Sequence, residues 1–470
     1  MSSFPLANEL QKEQEKLPFP PEIIAEIFFH CLPFEFTIPD PTTAPLVLCG
    51  ICHQYREIAL STPALWSSLS LDVSRMARSK AYLELLHKWI ARAGNTPLSL
   101  SFQENYTSQT FQRGVIPDNS SAIESLISTA VALSGQWRNI EIKVFVRDDI
   151  NALLLPIKGT LPLLEKLIVV YNKTPDPPTS IASAPNLRCV SARYHPQMRL
   201  PWHQLTTFHC DSGLDAASAL NVLRDSPNML DAAFTLNDMG TPTSALSLAT
   251  LRHARLECLT LGGFAGFQED LAIFRYLETP SVKTLRVLFQ DTVFTIFRPL
   301  DISPFLSFLS QPSLRLHTLI LSHLPATPVD LIACSRATLF LVHLKVRLAL
   351  HTVLPSTDET RAQMDTMFGQ LTRQSDFLPH LESLHLVFPG NSCDNAITPS
   401  VVIEMLCWRW AGTGTAQLLS FRLAHETDYK IESDAVINSH PESRRLEDEG
   451  MDLYVGVANT TTDSDSFWEY

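Results

Sequence analysis

The hydrophobic residues near the start of the chain recur at helical spacing. Proline and glutamate precede them in the segment 17–22, and proline is tolerated in the first turn of a helix while carboxylates favour its positive end. One broad apolar face follows, formed by Ile23, Ile24, Ile27, Phe28 and Cys31. The pattern predicts one helix that ends at Pro33 and a second helix over about 46–60.

Alternating hydrophobic and polar residues then predict strands. The segments 65–71, 97–102 and 140–146 alternate, and helical spacing predicts helices over about 79–93 and 121–133. Strands that alternate with helices along the chain are typical of α/β proteins with parallel sheets.

From residue 164 onward one short pattern returns, Leu-x-x-Leu-x-Leu with relaxed apolar choice. Its copies are Leu164-Leu167-Val169, Leu187-Val190-Ala192, Leu205-Phe208-Cys210, Leu256-Leu259-Leu261, Val282-Leu285-Val287, Leu316-Leu319-Leu321, Leu341-Leu344-Val346 and Leu381-Leu384-Leu386. Many central residues lie about 18–26 residues apart, close to the spacing of leucine-rich repeats. Each copy would supply a strand and a returning helix or loop, and only a stack of copies buries their apolar sides. The segment 352–377 has no assignment.

These patterns predict an α/β fold with an N-terminal helical domain and a degenerate leucine-rich-repeat solenoid. The solenoid would be a curved parallel sheet with outer helices or loops. We predict a disordered lead-in over 1–16, a helical domain over 17–70, a solenoid with a terminal cap over 71–457, and a disordered acidic tail over 458–470.

The charge is distributed unevenly along the chain. The net charge is −13 over 470 residues, and the excess of acidic residues lies in the first 70 and the last 40 residues. No cluster of basic residues predicts nucleic-acid binding, and no apolar run predicts a membrane span or a signal peptide. The composition therefore predicts a protein of the cytoplasm or nucleus that binds neither nucleic acid nor membrane.

The sharpest chemical motif is Cys49-Gly50-Ile51-Cys52-His53, which matches the Cys-x-x-Cys-His attachment site of c-type haem. The pattern places both cysteines on the apolar side of the second predicted helix, so we interpret them as packing residues. No second cysteine or histidine pair predicts a zinc site. No phosphate-binding loop, nucleophile elbow or His-Glu-x-x-His helix is present. We predict no cofactor, no metal and no enzymatic activity.

Two segments carry a family resemblance. One is Pro20-Pro21-Glu22-Ile23-Ile24-Ala25-Glu26-Ile27-Phe28 followed by Leu32-Pro33. The other is Cys52-His53-Gln54-Tyr55-Arg56-Glu57-Ile58-Ala59-Leu60-Ser61-Thr62-Pro63-Ala64-Leu65-Trp66. Together they resemble the F-box-like domain found in large families of mushroom-forming fungi. The chain departs from that family at Phe19, where a leucine is usual, and at Tyr55, where a tryptophan is usual.

The resemblance implies that the helical domain binds the Skp-type adaptor, and through it the cullin, of an SCF-type ubiquitin ligase. It implies an adaptor-binding set of Leu17, Pro18, Pro21, Glu22, Ile23, Ile24, Ile27, Phe28, Leu32, Cys52, Tyr55, Arg56 and Trp66. The following repeats would bind a substrate protein. The chain would then be a non-enzymatic substrate receptor. The alternative is a leucine-rich-repeat interaction scaffold without a link to ubiquitin ligases.

In a solenoid, the residues that flank the inner leucine of each strand point to the concave face, a usual partner site. Here they are Arg193, His209, Arg286, His343, Lys345, Arg347 and His385. One hypothesis is that this partly basic stripe receives an acidic or phosphorylated segment of the substrate. The other is that they are ordinary solvated side chains of strands.

Overall fold

The computed structural model describes residues 19–33, 36–73, 81–104, 120–144, 157, 160–170, 183–192, 199–236, 249–264, 270–290, 301–324, 326–348, 357–389, 396–412, 414–426 and 432–458. The chain divides into two compact units, residues 1–191 with 197–201 and residues 192–196 with 202–470. Each unit is α/β and is built on parallel strands. The predicted lead-in, nearly all of the predicted tail, Leu17, Pro18 and Arg193 lie outside the described residues.

The first unit begins with short helices: α1 (Pro21–His30), α2 (Leu48–Ile51), α3 (His53–Ser61) and a 3-10 helix (Pro63–Trp66). The first predicted helix is confirmed. The prediction of a single helix over 46–60 is wrong, because Cys52 has an extended backbone with φ −154° and separates α2 from α3. The backbone N–H of Tyr55 donates to the Sγ of Cys52 over 3.4 Å, so Cys52 caps the start of α3.

Strands and helices alternate in the rest of the first unit, as the pattern predicts. They are β1 (Ser68–Asp72), α4 (Ala81–Ala93), β2 (Leu98–Gln103), α5 (Ser120–Val131), a 3-10 helix (Ser134–Gln136), β3 (Trp137–Lys143), β4 (Lys166–Val170) and β5 (Cys189–Ala192). The strands β1 to β4 pair in parallel in chain order. The predicted boundary between residues 70 and 71 falls within β1, so the sheet begins inside the predicted helical domain.

The second unit continues the alternation. Its elements are a 3-10 helix (Trp202–Gln204), β6 (Thr207–Leu214), α6 (Ala216–Asp225), β7 (Asp231–Leu236), β8 (Leu251–Arg252), β9 (Cys258–Phe264), a 3-10 helix (Asp270–Tyr276), β10 (Leu277–Glu278), β11 (Thr284–Gln290), α7 (Ser303–Leu309), β12 (Thr318–Leu324), α8 (Pro328–Ala337), β13 (His343–Leu348), α9 (Thr357–Arg373), β14 (Ser383–Phe388), α10 (Pro399–Ala411), β15 (Ser420–His425), α11 (Glu432–Ser439), α12 (Pro441–Asp448) and β16 (Asp452–Val457). The long strands pair in parallel in chain order, and β8 pairs with β10 in a separate short ladder.

The repeated hydrophobic pattern places equivalent residues opposite each other in the sheet of the second unit. The register pairs its central residues in one row: Leu259, Leu285, Leu319, Leu344 and Leu384. All of them are buried. The structure adds two copies that the relaxed pattern missed, Met229-Ala232-Phe234 and Leu418-Phe421-Leu423, which are also buried. The parallel sheet is therefore confirmed, and its core consists of the repeated apolar positions.

The strands β7, β9 and β11 to β15 each start with two N–H groups that share one carbonyl acceptor. The backbone carbonyl of Glu257 accepts from the N–H groups of Lys283 and Thr284, over 2.8 and 3.1 Å. The carbonyl of Lys283 accepts in the same way from His317 and Thr318. Because these acceptors satisfy the polar backbone of the turns, they also hold the register of successive strands.

Helix α9 occupies the segment that received no assignment. Its buried apolar side chains are Met364, Met367, Phe368 and Leu371, which recur at intervals of three, one and three residues. That spacing is a helical signal, and it was obscured by the many polar residues around it. None of the helices in the described ranges is both long and apolar enough to cross a membrane.

Candidate protein-interaction surfaces

Helix α1 has apolar side chains on its buried face and on its exposed face. Ile24 and Phe28 are buried, with 2% and 3% of their surface exposed. Ile23 and Ile27 are 49% and 45% exposed, and at 100° per residue they form a face that is turned by ~100° from the face of Ile24 and Phe28. Phe19, four residues before Ile23, is 52% exposed. We call Phe19, Ile23 and Ile27 the α1 stripe.

The buried face of α1 is held by α3. The rings of Phe28 and Tyr55 meet edge to face with centroids 5.1 Å apart, a favourable geometry for aromatic pairs. Arg56 in turn donates from its Nε to the backbone carbonyl of Cys49 over 2.8 Å, which joins α3 to α2. The packing of Phe28 on the adjacent face therefore fixes the rotation of α1 that leaves Ile23 and Ile27 exposed.

Trp66 packs in the interior of the first unit. Its indole N–H donates to the carbonyl of Ala59 over 2.8 Å, and its ring meets that of Trp89 edge to face at 4.8 Å. The guanidinium of Arg92 lies 4.3 Å from the centroid of the Trp66 ring. This side chain is fully buried and has its polar atom satisfied inside the protein.

The structure sorts the predicted adaptor-binding residues by exposure. Those exposed to solvent are Pro21, Glu22, Ile23, Ile27, Cys52 and Arg56; those half-buried are Leu32 and Tyr55; those buried are Ile24, Phe28 and Trp66. The buried three support the surface from inside. The exposed large apolar residues of this region that the prediction omitted are Phe19, Phe29, Ile38, Val47, Ile51 and Leu60. The sequence signal for Phe29 was an α1 segment that is hydrophobic over more than one face.

The haem-like motif has an ordinary structural role in this geometry. Cys52 is exposed at the break between α2 and α3, so the prediction that both cysteines lie on the apolar side of one helix is wrong. Burial raises the pKa of the Cys49 thiol. The Nδ1 of His53 lies 3.6 Å from a carboxylate oxygen of Glu57. Among the described residues, no group of three or more histidine, cysteine or acidic side chains is placed to hold a metal ion.

The predicted partner-binding residues of the second unit lie on the open face of its sheet. The register places four of them in one row, which we call the central row: His209, Arg286, Lys345 and His385. His343 and Arg347 lie two residues before and after Lys345 on β13, so they border this row. Arg422, which the prediction omitted, extends it onto β15.

Carboxylates accompany the cations at the β6 end of the central row. The Nε2 of His209 lies 3.2 Å from Oδ2 of Asp231, and Arg286 donates to the Sγ of Cys258 over 3.4 Å. Burial opposes ionisation of Asp231, but His209, Cys258 and Arg286 outweigh it and lower the pKa of this carboxyl. Burial, with Asp231 beside it, raises the pKa of the Cys258 thiol to about 12. These groups therefore satisfy one another.

Carboxylates also accompany the cations at the other end. The Nε of Arg347 lies 3.4 Å from a carboxylate oxygen of Glu426, and that same oxygen lies 3.7 Å from His323. Arg422 pairs with Asp452 over 3.1 Å, and the pKa of Asp452 is lowered because the hydrogen bonds from Ser420 and Arg422 outweigh its partial burial. The cations at this end of the open face therefore have carboxylates beside them.

Comparison with known proteins adds no assignment. No protein-family model matches the chain, and a search of the curated proteins finds no match.

Proposed function

We propose that this protein is a non-enzymatic substrate receptor of an SCF-type cullin–RING ubiquitin ligase. The α1 stripe would bind the Skp-type adaptor, and the open face of the second unit would bind the substrate. The observation that carries the proposal is the α1 stripe, since its large apolar side chains are exposed on α1 and just before it, while the adjacent face of the helix is packed against the protein.

The exposed face of α1 has the character of a docking surface. Single exposed apolar residues are normal, but Ile23 and Ile27 lie one turn apart on α1, and exposed Phe19 precedes the helix, which favours a partner. Burying the exposed part of each side chain would contribute roughly 1 kcal/mol. Glu22, Glu26 and His30 border the stripe, and Glu26 pairs with His30 over 3.4 Å. A polar border around an apolar centre is the usual composition of a protein interface.

The role of the second unit follows from its shape and chemistry. A parallel sheet with one face covered by helices leaves a row of side chains along the other face, and such faces bind partners in repeat proteins. The central row mixes cations, histidines and uncharged side chains. As a receptor, the protein would raise the rate of ubiquitin transfer by proximity and would supply no catalytic side chain.

The decisive experiment is titration of the full chain with a fungal Skp-type adaptor. Ile23→Asp and Ile27→Asp should each weaken binding at least tenfold, because each places a charge in the apolar contact. Ile38→Asp is the matched control, since Ile38 is 64% exposed and lies outside the stripe. Ile24→Asp is unsuitable because Ile24 is buried and its replacement would unfold the helices.

Circular dichroism should show that all three variants retain the helical content of the wild type. If the folded wild-type chain does not bind the adaptor at micromolar concentration, the proposal fails. The chain is then better described as an interaction scaffold without the ligase connection, the function that its departures at Phe19 and Tyr55 favour. If Ile23→Asp and Ile27→Asp bind the adaptor as tightly as the wild type does, the contact does not lie on α1.

A further inference from the structure

Strand β16 is the last strand of its sheet, and on one side it has no neighbouring strand among the described residues. On its other side the N–H of Asp452 donates to the carbonyl of Leu419, at the start of β15, over 2.9 Å. Alternate residues of a strand direct their backbone polar groups to the same side. The residues Leu453, Val455 and Val457 therefore direct their N–H and carbonyl groups to the open edge.

An open edge of this kind is a template for pairing with another chain. Residues 452–457 favour a strand and include no lysine or proline, the residues that commonly protect an edge. Tyr454 and Val457 are 39% and 43% exposed. The one charged residue of the strand, Asp452, pairs with Arg422 of β15. Any protection of this edge therefore has to come from other contacts.

Two side chains bond to the carbonyls of the open edge. The hydroxyl of Tyr454, which lies beside Arg422 on the open face, donates to the carbonyl of Val457. The Nδ2 of Asn438, in the last turn of α11, donates to the carbonyl of Val455 over 3.0 Å. Each donor takes the place that an N–H group of an added strand would need. We call Asn438 and Tyr454 the edge caps.

Gly456 makes room for one of these caps. It lies two residues after Tyr454 and therefore on the same face of the strand. A Cβ atom at Gly456 would lie 3.3 Å from the hydroxyl oxygen of Tyr454 and 3.5 Å from the Cζ that carries it. The tyrosine side chain thus passes over the glycine to reach the carbonyl of Val457. A larger residue at position 456 would displace the hydroxyl.

We propose that the edge caps keep β16 closed to strand pairing, and that the partner they exclude is β16 of a second copy of this chain. The edge is self-complementary. In a two-fold antiparallel pair, Val455 would lie opposite its own counterpart and Leu453 opposite Val457 of the second copy. Each of these pairs would exchange both backbone hydrogen bonds. The proposal concerns β16 alone and does not rest on the ligase function.

The edge strand of the first unit is a poorer partner for β16. On the side of β1 away from β2, the N–H of Ser70 donates to the carbonyl of Thr37 over 2.8 Å. The N–H of Thr37 in turn lies 3.2 Å from the Oγ of Ser68, to which it donates. This edge of β1 is therefore already covered by the chain itself.

Sedimentation velocity of the full chain tests the proposal. Tyr454→Phe removes only the hydroxyl and Asn438→Ala only the amide, and both residues are exposed, so circular dichroism should show an unchanged fold. The double variant should have a self-association constant at least tenfold above that of the wild type, because the freed carbonyls can accept from a second copy. Gly456→Val alone should act in the same direction by displacing Tyr454.

Substitutions at Val457 locate the contact. Val457→Pro removes an N–H group of the open edge, so in the double variant it should restore the association constant of the wild type. Val457→Ala keeps the N–H group and is the matched control, which should leave the double variant associated. A double variant that sediments as the wild type does overturns the role of the caps. Association that survives Val457→Pro overturns pairing through β16. A wild-type chain that associates, and no longer does so with Val457→Pro, has an open edge and also overturns the proposal.

Discussion

Arg409 shows how one side chain holds several backbone segments together. It is fully buried on α10 and donates to the carbonyls of Leu371, Phe377 and Leu378. Leu371 lies in the last turn of α9, whose final carbonyls have no partner within the helix. Desolvation lowers the pKa of Arg409 to about 10, so the guanidinium remains charged at neutral pH. A buried arginine is tolerated here because its guanidinium donates to three backbone carbonyls.

Replacing this residue should be costly. We expect Arg409→Met to lower the free energy of unfolding by about 3 kcal/mol, because three backbone carbonyls each lose a hydrogen bond from the guanidinium, and the carbonyl of Leu378 alone keeps a second donor in the described part of the chain, the N–H of Leu381. Urea unfolding monitored by circular dichroism measures the change. Arg373→Met is the control, since Arg373 is exposed at the end of α9 and should change stability by less than ~0.5 kcal/mol. Equal stabilities of the two variants would contradict this role.

The ionisation of Asp231 on the open face makes the stability of the fold depend on pH. Its pKa is lowered in the folded chain although burial opposes this, mainly because of the hydrogen bond and charge of His209. A carboxyl with a lowered folded pKa stabilises the protein above its unfolded pKa of ~3.9, and this contribution is lost as the pH falls through the folded pKa. Asp231→Asn should therefore cost about 1 kcal/mol at pH 7 and progressively less below about pH 4.

Urea midpoints of Asp231→Asn and the wild type between pH 7 and pH 2.5 measure this difference. Asp225→Asn removes an exposed carboxylate six residues earlier and serves as the control. If the difference in urea midpoint between Asp231→Asn and the wild type stays constant down to the lowest pH, ionisation of Asp231 does not stabilise the fold.

At the scale of elements, helices end where a residue satisfies or interrupts the backbone. Cys52 has an extended backbone and divides what the hydrophobic pattern predicts as a single helix. Thr327 caps α8 reciprocally with Asp330: each side chain accepts from the other residue's backbone N–H. Gly412 follows α10 with φ 62°, in the left-handed region that favours glycine. This local chemistry determines where each helix begins and ends, which hydrophobic spacing alone does not determine.

Two glycines of the second unit should respond to alanine in opposite directions. Gly412→Ala should destabilise the protein by about 1 kcal/mol, because a side chain disfavours the left-handed conformation. Gly369→Ala should stabilise it by about 0.5–1 kcal/mol, because Gly369 lies within α9 with no atom within 4 Å of the added carbon. Thermal and urea unfolding of both variants test this pair. If both substitutions change stability in the same direction, the different roles given to Gly412 and Gly369 are contradicted.

At the scale of the whole molecule, the repeats start earlier than the sequence pattern indicates. The indole N–H of Trp66 donates to the carbonyl of Ala59, and that of Trp137 donates to the carbonyl of Ala130 over 2.9 Å. In each case the acceptor lies in the preceding helix, seven residues earlier, and a buried strand follows. Trp66 therefore occupies the position that leucine holds in later copies. The first unit uses the same strand-and-return arrangement as the second.

Much of the fold could be predicted because it depends on periodic burial. Leu259, Leu285 and Leu319 are buried in one row for the same reason that they recur in the sequence: each must contact its neighbours in the stack. The candidate surfaces could be predicted only in part. Ile23 and Ile24 are adjacent and chemically identical, and one is half exposed while the other is buried. Their spacing alone does not indicate which face of α1 packs on α3.

The sequence by itself determined the alternation of strands and helices, the parallel sheet, and the row of polar residues on its open face, because side-chain direction follows from strand periodicity. Only the tertiary structure decided which apolar face of α1 remains exposed and how the carboxylates of Glu426 and Asp452 compensate Arg347 and Arg422. These features join residues that are distant in the chain. Their contacts depend on how the elements pack, which local spacing does not specify.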